Sequence, residues 1–161
     1  MSQVRVRGII KMASSQPMSW EERTKKVADA LLLPSNIVRN VDLNGDGQYD
    51  GFQFDMGNPW HTAIPIDNIK NLSISVDGEK IDPEKVYLLI RSNRIKLTNV
   101  ATIPEIYLGF GELFSVFVEK PGGLPFGNHE MEVSLTLYPS FYLFMRVTTY
   151  TTKKSVVVVP Q

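Results

Sequence analysis

The chain has no cysteine and only two histidines, His61 and His129, in 161 residues. Without cysteine there is no disulfide, no thiolate zinc centre and no cysteine nucleophile. Two isolated imidazoles give little from which to build a self-sufficient transition-metal site. Charge of one sign is missing as well. Seventeen basic residues balance seventeen acidic ones, so there is no broad positive field to hold a phosphate backbone or an anionic membrane, and nucleic acid is not an expected partner. Long hydrophobic runs are absent too: no stretch approaches the roughly 20 apolar residues of a membrane span, and residues 1–20 lack the continuous apolar core of a secretory signal. The expected setting is cytoplasmic, away from membranes. The sequence has no G-x-S-x-G elbow, no P-loop and no dinucleotide fingerprint. Gly122, Gly123 and Gly127 do not read as a phosphate cradle, because a strand-like alternation follows them and phosphate loops open a helix. No pair of carboxylates stands out for glycoside hydrolysis.

What is present is enough chain for one core, able to bury roughly 70% of the surface its unfolded form exposes. The expected organisation is an N-terminal arm and helix over residues 1–35 and a β-sandwich domain over residues 36–161. Residues 4–11 form a short β-compatible run, read as an arm. Ser19-Trp20-Glu21-Glu22 fits a capping box, in which the serine oxygen accepts from the amide three residues on and the glutamate reaches back. A helix should start there, with Trp20, Val27, Ala28 and Leu31 on one face and Pro34 forcing Leu33 out of helical geometry. From Ile37 onward, short alternating or apolar runs are separated by turn residues, the sign of an antiparallel sandwich or barrel. Strands are expected at residues 37–41, 51–56, 64–67, 72–76, 86–91, 114–119, 130–138 and 142–150, with 156–159 closing an edge. Asp77-Gly78 is a two-residue hairpin signal. The expected fold class is all-β, an antiparallel, jelly-roll-like β-sandwich with one N-terminal helix.

Four stretches stand out. Phe114, Val116 and Val118 alternate with Ser115, Phe117 and Glu119; after Lys120-Pro121-Gly122-Gly123 the alternation resumes at Met131, Val133, Leu135 and Leu137. Period two on both sides of a segment that cannot continue a ladder reads as a β-hairpin with a long connection. Asp42, Asn44, Asp46 and Asp50, with Gly47 at the sixth position, have the spacing of a calcium loop, yet Gln53 stands where a bidentate glutamate belongs and strands flank the loop. Asn44-Gly45 and Asp46-Gly47 equally describe a plain hairpin turn, so a structural Ca2+ and a metal-free turn are both open readings. Asn58, Pro59, Trp60, His61 and Thr62 lie in a loop between two strands; an exposed indole beside an imidazole would stack on a sugar or anchor a partner, and the alternative places Trp60 in the core. His129 is followed by Glu130 and Glu132, but a strand sends these two to the opposite face, so the three do not converge as ligands. As weak candidates for direct chemistry there remain His61 and His129.

Two blocks carry a resemblance. VDGEKIDPEKVYL at residues 76–88, followed by FSVFVEKPGGLPFGNHEMEVSLTL at residues 114–137, resembles the β subunit of the C-glycoside deglycosidases, and GFQFDMGNPWHTAIPIDNI at residues 51–69 is similar to the family's strand, proline-aromatic loop and Ile-Pro turn. The resemblance spans roughly residues 37–138. It implies a small β-sandwich subunit, without an intrinsic cofactor, that joins a larger barrel-fold α subunit carrying a divalent metal of the Mn or Mg type, in a higher-order heteromer. The implied activity is that of a carbon-carbon lyase of carbohydrate metabolism, which cleaves the sugar-aryl bond of 3-oxo C-glycosides by elimination. The implied principal base and metal belong to the α subunit, while this chain supplies stability and pocket walls. Asn58, Trp60, His61 and Thr62 are then expected at a substrate or subunit contact, as are Pro121, Gly122 and Gly123. The residues alone also describe a non-catalytic carbohydrate- or protein-binding β-sandwich, calcium-stabilised in one version.

Overall fold

A computed structural model describes residues 16–138 and 147–161. The arm expected at residues 4–11, and the first part of the strand expected at 142–150, lie outside the described residues. The helix starts at the capping box: Ser19 Oγ accepts from the Glu22 amide at 3.1 Å and Glu22 Oε2 from the Ser19 amide at 2.9 Å, opening α1 (Trp20–Val27). It runs into a π-helical turn, Ala28–Leu32, and Leu33 leaves helical geometry at φ −128°, ψ 77° ahead of Pro34. The wider π winding changes which side chains point inward. Ala28, Leu32 and Leu33 are buried, whereas Trp20 is 55% and Leu31 38% exposed. A face extrapolated at 3.6 residues per turn therefore fails at both ends.

The strands are β1 (Ile37–Val41), β2 (Gly51–Gly57), β3 (Ile64–Pro65), β4 (Ile69–Val76), β5 (Glu79–Lys80), β6 (Val86–Ile90), β7 (Asn93–Lys96), β8 (Tyr107–Leu108), β9 (Leu113–Glu119), β10 (Gly127–Leu137) and β11 (Thr148–Val159). Nine of them make one sheet in the order β5-β4-β10-β11-β1-β2-β9-β6-β7, and β3 and β8 pair separately. Neighbours run antiparallel except β1 and β11, which are parallel with Ile37 opposite Val157. The sheet curls so that one face encloses the core, giving an all-β, sandwich-like fold with one short N-terminal helix. Alternation sets that face: Met131, Val133, Leu135 and Leu137 are buried while Glu130 and Glu132 are exposed. The helical segment closes the core against β11. Thr152 Oγ1 donates to Asp29 Oδ1 at 2.9 Å, and Lys154 Nζ donates to the carbonyls of Asp29 and Leu33, satisfying orphan acceptors where the helix ends. Burying Leu32 and Leu33 there contributes roughly 3–6 kcal/mol of transfer free energy.

Three expectations need correction. The first is the hairpin of residues 114–137: β9 and β10 are not neighbours, because β11, β1 and β2 lie between them. Alternation specifies which face a strand buries but not which strand lies beside it. The connection over residues 120–126 spans roughly 23 Å when extended, enough to cross the four strand spacings of about 4.8 Å that separate β9 from β10. The second is the edge at 156–159, which is instead the end of β11, inside the sheet. The third is the strand at 64–67, which stops at Pro65 and gives way to a 3-10 turn, Ile66–Asn68. The Asp77-Gly78 hairpin forms as expected, with φ of 51° and 82° at its two turn residues and Val76 opposite Glu79.

Candidate functional site

The residues singled out from the sequence separate into two groups at opposite ends of β2, about 20 Å apart at 3.3 Å per residue. Pro121, Gly122, Gly123 and His129 lie towards the Gly51 end, where Gly51 pairs with Glu119. Asn58, Trp60, His61 and Thr62 lie beyond the Gly57 end, where Gly57 pairs with Leu113. They do not form one site.

At the Gly51 end, residues 120–126 form a cap over the strand ends. The Lys120 amide donates to the Asp50 carbonyl at 3.0 Å and the Gly122 amide to the Tyr49 carbonyl at 2.8 Å. Asn40, only 1% exposed, takes the Leu124 amide on Oδ1 at 2.9 Å and gives Nδ2 to the Leu124 carbonyl at 2.7 Å, acting as one rung of an extra strand. Gly123 is required for this: its φ is +69°, and a Cβ there would lie 2.4 Å from Asn40 Oδ1. The two sequence blocks that carry the resemblance meet here. Asp77 of the first accepts from the Glu130 amide at 2.9 Å and bonds His129 Nδ1 at 2.6 Å, both in the second. His129 Nε2 is 2.7 Å from the Pro125 carbonyl. The Asp77 carboxylate, with help from the Pro125 carbonyl, raises the His129 pKa, while the Glu130 amide and then His129 lower that of Asp77. Both ring nitrogens are engaged in contacts that tie the cap to the β4–β5 turn.

The Asp42–Asp50 loop borders the same end. Asp42 accepts from the Gly45 amide at 2.7 Å and the Gly47 amide at 2.8 Å, Asn44 from Asp46, Asp46 from Gln48, and Asp50 from Leu43. The Gly47 amide is the largest cause of the lowered Asp42 pKa. Each of the four oxygen-bearing side chains thus bonds the loop's own backbone, as in Asx turns. Among the described residues, no group of three or more Asp, Glu or His side chains is placed to hold a metal ion.

At the Gly57 end the loop is pinned from inside. Asn58 is fully buried; its Nδ2 reaches the carbonyls of Thr62 at 2.9 Å, Gly109 at 3.0 Å and Leu108 at 3.3 Å, and its Oδ1 accepts from the Trp60 amide at 2.9 Å. Trp60 is 7% exposed and belongs to the core, so the exposed indole is not found. It serves instead as a base for His61, which is exposed with its ring 4.7 Å from the indole. Opposite stands the turn Gly109-Phe110-Gly111-Glu112. Glu112 Oε2 takes the Gly109 amide at 2.6 Å and Arg91 Nη2 at 2.7 Å, and Arg91 Nη2 also donates to the Tyr107 carbonyl at 2.8 Å. Arg91 does so from φ 55°, a left-handed conformation that costs a branched or long side chain about 1–2 kcal/mol. On this braced turn Phe110 is 72% and Leu113 60% exposed, with Leu31 and Tyr107 also in solvent. A Cβ at Gly57 would lie 2.4 Å from the Leu31 carbonyl, so that glycine lets the π turn press against the end of β2. Phe110, Leu113, Tyr107, Arg91 and Glu112 were not anticipated. The signal was an aromatic residue between two glycines followed by an acid.

This geometry defines a curled-sheet domain that presents apolar side chains from loops held rigid by buried asparagine. Comparison with known proteins supplies the family. The profile of the C-glycoside deglycosidase beta subunit family matches residues 28–141, and the chain belongs to that family. A C-glycoside deglycosidase beta subunit from Eubacterium cellulosolvens is 24% identical over 110 residues, covering 68% of this chain and 74% of the relative. A beta subunit implies a partner subunit in a heteromeric complex. No helix among the described residues is long and apolar enough to cross a membrane.

Proposed function

We infer that this chain is the accessory subunit of a heteromeric lyase that cleaves the sugar-aryl carbon-carbon bond of 3-oxo C-glycosides, and that it meets its partner through the Gly57 end. Family membership across residues 28–141 carries the first part. The reaction class follows from the bond. A C-glycoside has no leaving oxygen to protonate, so acid-assisted hydrolysis has no purchase, whereas a ketone at sugar carbon 3 acidifies the hydrogen on carbon 2. Removal of that proton gives an enolate, and the aryl group leaves carbon 1 as it is reprotonated. In this reading the partner would hold a divalent metal, which would supply charge stabilisation for the enolate oxygen. This chain's part is to shape and dry the shared surface, with His61 as the exposed imidazole at that end.

The second part rests on Phe110 and Leu113. Apolar side chains this exposed, on a turn frozen by Asn58, Glu112 and a left-handed Arg91, give nothing back to the fold, while rigid aromatic anchors are what interfaces use. Co-expression with a barrel-type α subunit, affinity capture through this chain, and assay on 3-oxo C-glucosides test the reading. The expected result is a co-purifying pair with activity that neither part has alone. Turnover by this chain alone, or a monomer that binds glycans and retains no partner, would overturn it.

A further inference from the structure

Among the described residues, neither ring nitrogen of His129 meets a group that can donate. Pro125 offers a carbonyl oxygen at 2.7 Å, and Asp77 a carboxylate oxygen at 2.6 Å whose partner oxygen already accepts from the Glu130 amide. A neutral imidazole has one N–H and one lone pair, so it can satisfy only one of these contacts, and the other would set two lone pairs against each other. Only the imidazolium satisfies both. We propose that His129 is a proton-operated latch: protonated, it fastens the cap segment to the β4–β5 turn, and on losing its proton it releases Pro125 and Phe126.

Pro125 is the contact that gives way, because the bond to Asp77 is charge-assisted and shorter. The other cap anchors lie upstream: Lys120 on Asp50, Gly122 on Tyr49 and Leu124 on Asn40. Between Leu124 and the start of β10 at Gly127, the described tie is Pro125 to His129, so release is local. It frees Phe126, which is 59% exposed and packs edge-on against Tyr49 at 6.1 Å. The charges around the latch are few. Asp77 faces it from the β4–β5 turn; on β10 itself Glu130 points to the opposite face and pairs with Lys153 of β11 at 2.7 Å; β11 places neutral Val156 opposite His129; β5 adds exposed Glu79 and Lys80, of opposite sign; and Lys120 opens the cap. The raised His129 value means the tie is complete below the ordinary imidazole value and is lost as pH rises through the raised one; the lowered Asp77 value means it is also lost as pH falls below the ordinary carboxylate range and the carboxylate protonates.

The test uses the full chain, uniformly labelled with 15N and carrying His61→Asn, so that His129 gives the one imidazole signal. Long-range 1H–15N spectra should show both ring nitrogens mostly protonated at the ordinary imidazole midpoint of 6.5. On raising the pH, the His129 titration should coincide with a fall in the Phe126 amide order parameter and loss of the Phe126–Tyr49 NOE, while the Leu124 amide stays ordered. Asp77→Asn keeps an acceptor and tolerates the left-handed φ, and should move the midpoint down and the loosening of Phe126 with it. A His129 midpoint at or below the ordinary imidazole value, or a His129 titration that leaves Phe126 unchanged, would overturn the latch. The outcome does not depend on the enzymatic reading.

Discussion

Both ends of β2 use the same device for different ends. A buried asparagine holds a loop by its backbone in each: Asn40 under Leu124 in the cap, and Asn58 under Trp60, Thr62 and the 107–112 turn. At the Gly51 end the anchored residues close the sheet, and the motif residues Gly123 and His129 turn towards the protein. At the Gly57 end the anchored backbone carries Phe110, Leu113 and His61 outward. The motif residues around Gly123 and His129 are thus chiefly scaffold, whereas the exposed side chains at the other end include Phe110 and Leu113, outside the resemblance blocks, and His61, inside the block at residues 51–69. A motif can identify a subunit without marking where it acts.

The contrast is open to direct attack. Asn58→Ala should cost the most, roughly 3–4 kcal/mol in urea unfolding, because the acceptors it leaves are in buried backbone. A cost below about 1 kcal/mol would mean that the loop is not pinned from within. Gly123→Ala should follow at roughly 2–3 kcal/mol, from the left-handed φ and the collision with Asn40 that separates both rungs to Leu124. The paired change Phe110→Ser and Leu113→Ser should shift stability by no more than about 0.5 kcal/mol, since exposed side chains are lost. It should nonetheless abolish capture of the α subunit, whereas Phe126→Ser at the other end should leave capture intact. If Phe126→Ser is the one that breaks the complex, the two ends have been assigned the wrong way round. Tyr150, buried on β11 opposite Leu135, is a control for both. Burial pushes its phenol up to about 12, so folding keeps it protonated; stability is full below the ordinary value near 10 and falls as pH rises towards 12. Tyr150→Phe should flatten that alkaline loss, read from urea midpoints at stepped pH.

Much of the fold was legible in the sequence because the signals were local. The Ser19 to Glu22 capping box, the Asp77-Gly78 turn and the buried faces of β4 and β10 each depend on residues a few positions apart. What could not be read was long-range. The neighbours of β9 and β10 are chosen by the whole sheet, and no alternation records that β1 and β11 run parallel. The Arg91 turn escaped because it lacks glycine at its left-handed position, a conformation stabilised by Tyr107 and Glu112 from another part of the chain. At the candidate site, the loop over residues 58–62 was found but Trp60 was read two ways. A tryptophan in a loop is placed by what lies beneath it, here the buried Asn58 and the core.

The position of β11 has a consequence for how the molecule is assembled. Among the described residues it is the strand that joins β5-β4-β10 to β1-β2-β9-β6-β7, and it follows all of them in sequence. Until residues 148–159 are available, a growing polypeptide holds two partial sheets with facing unpaired edges at β10 and β1, each a template for the wrong strand. Closure is then a late step made of contacts distant in sequence, the kind that folds slowly. A cell making this subunit would be served by having its partner or a chaperone at hand before β11 emerges.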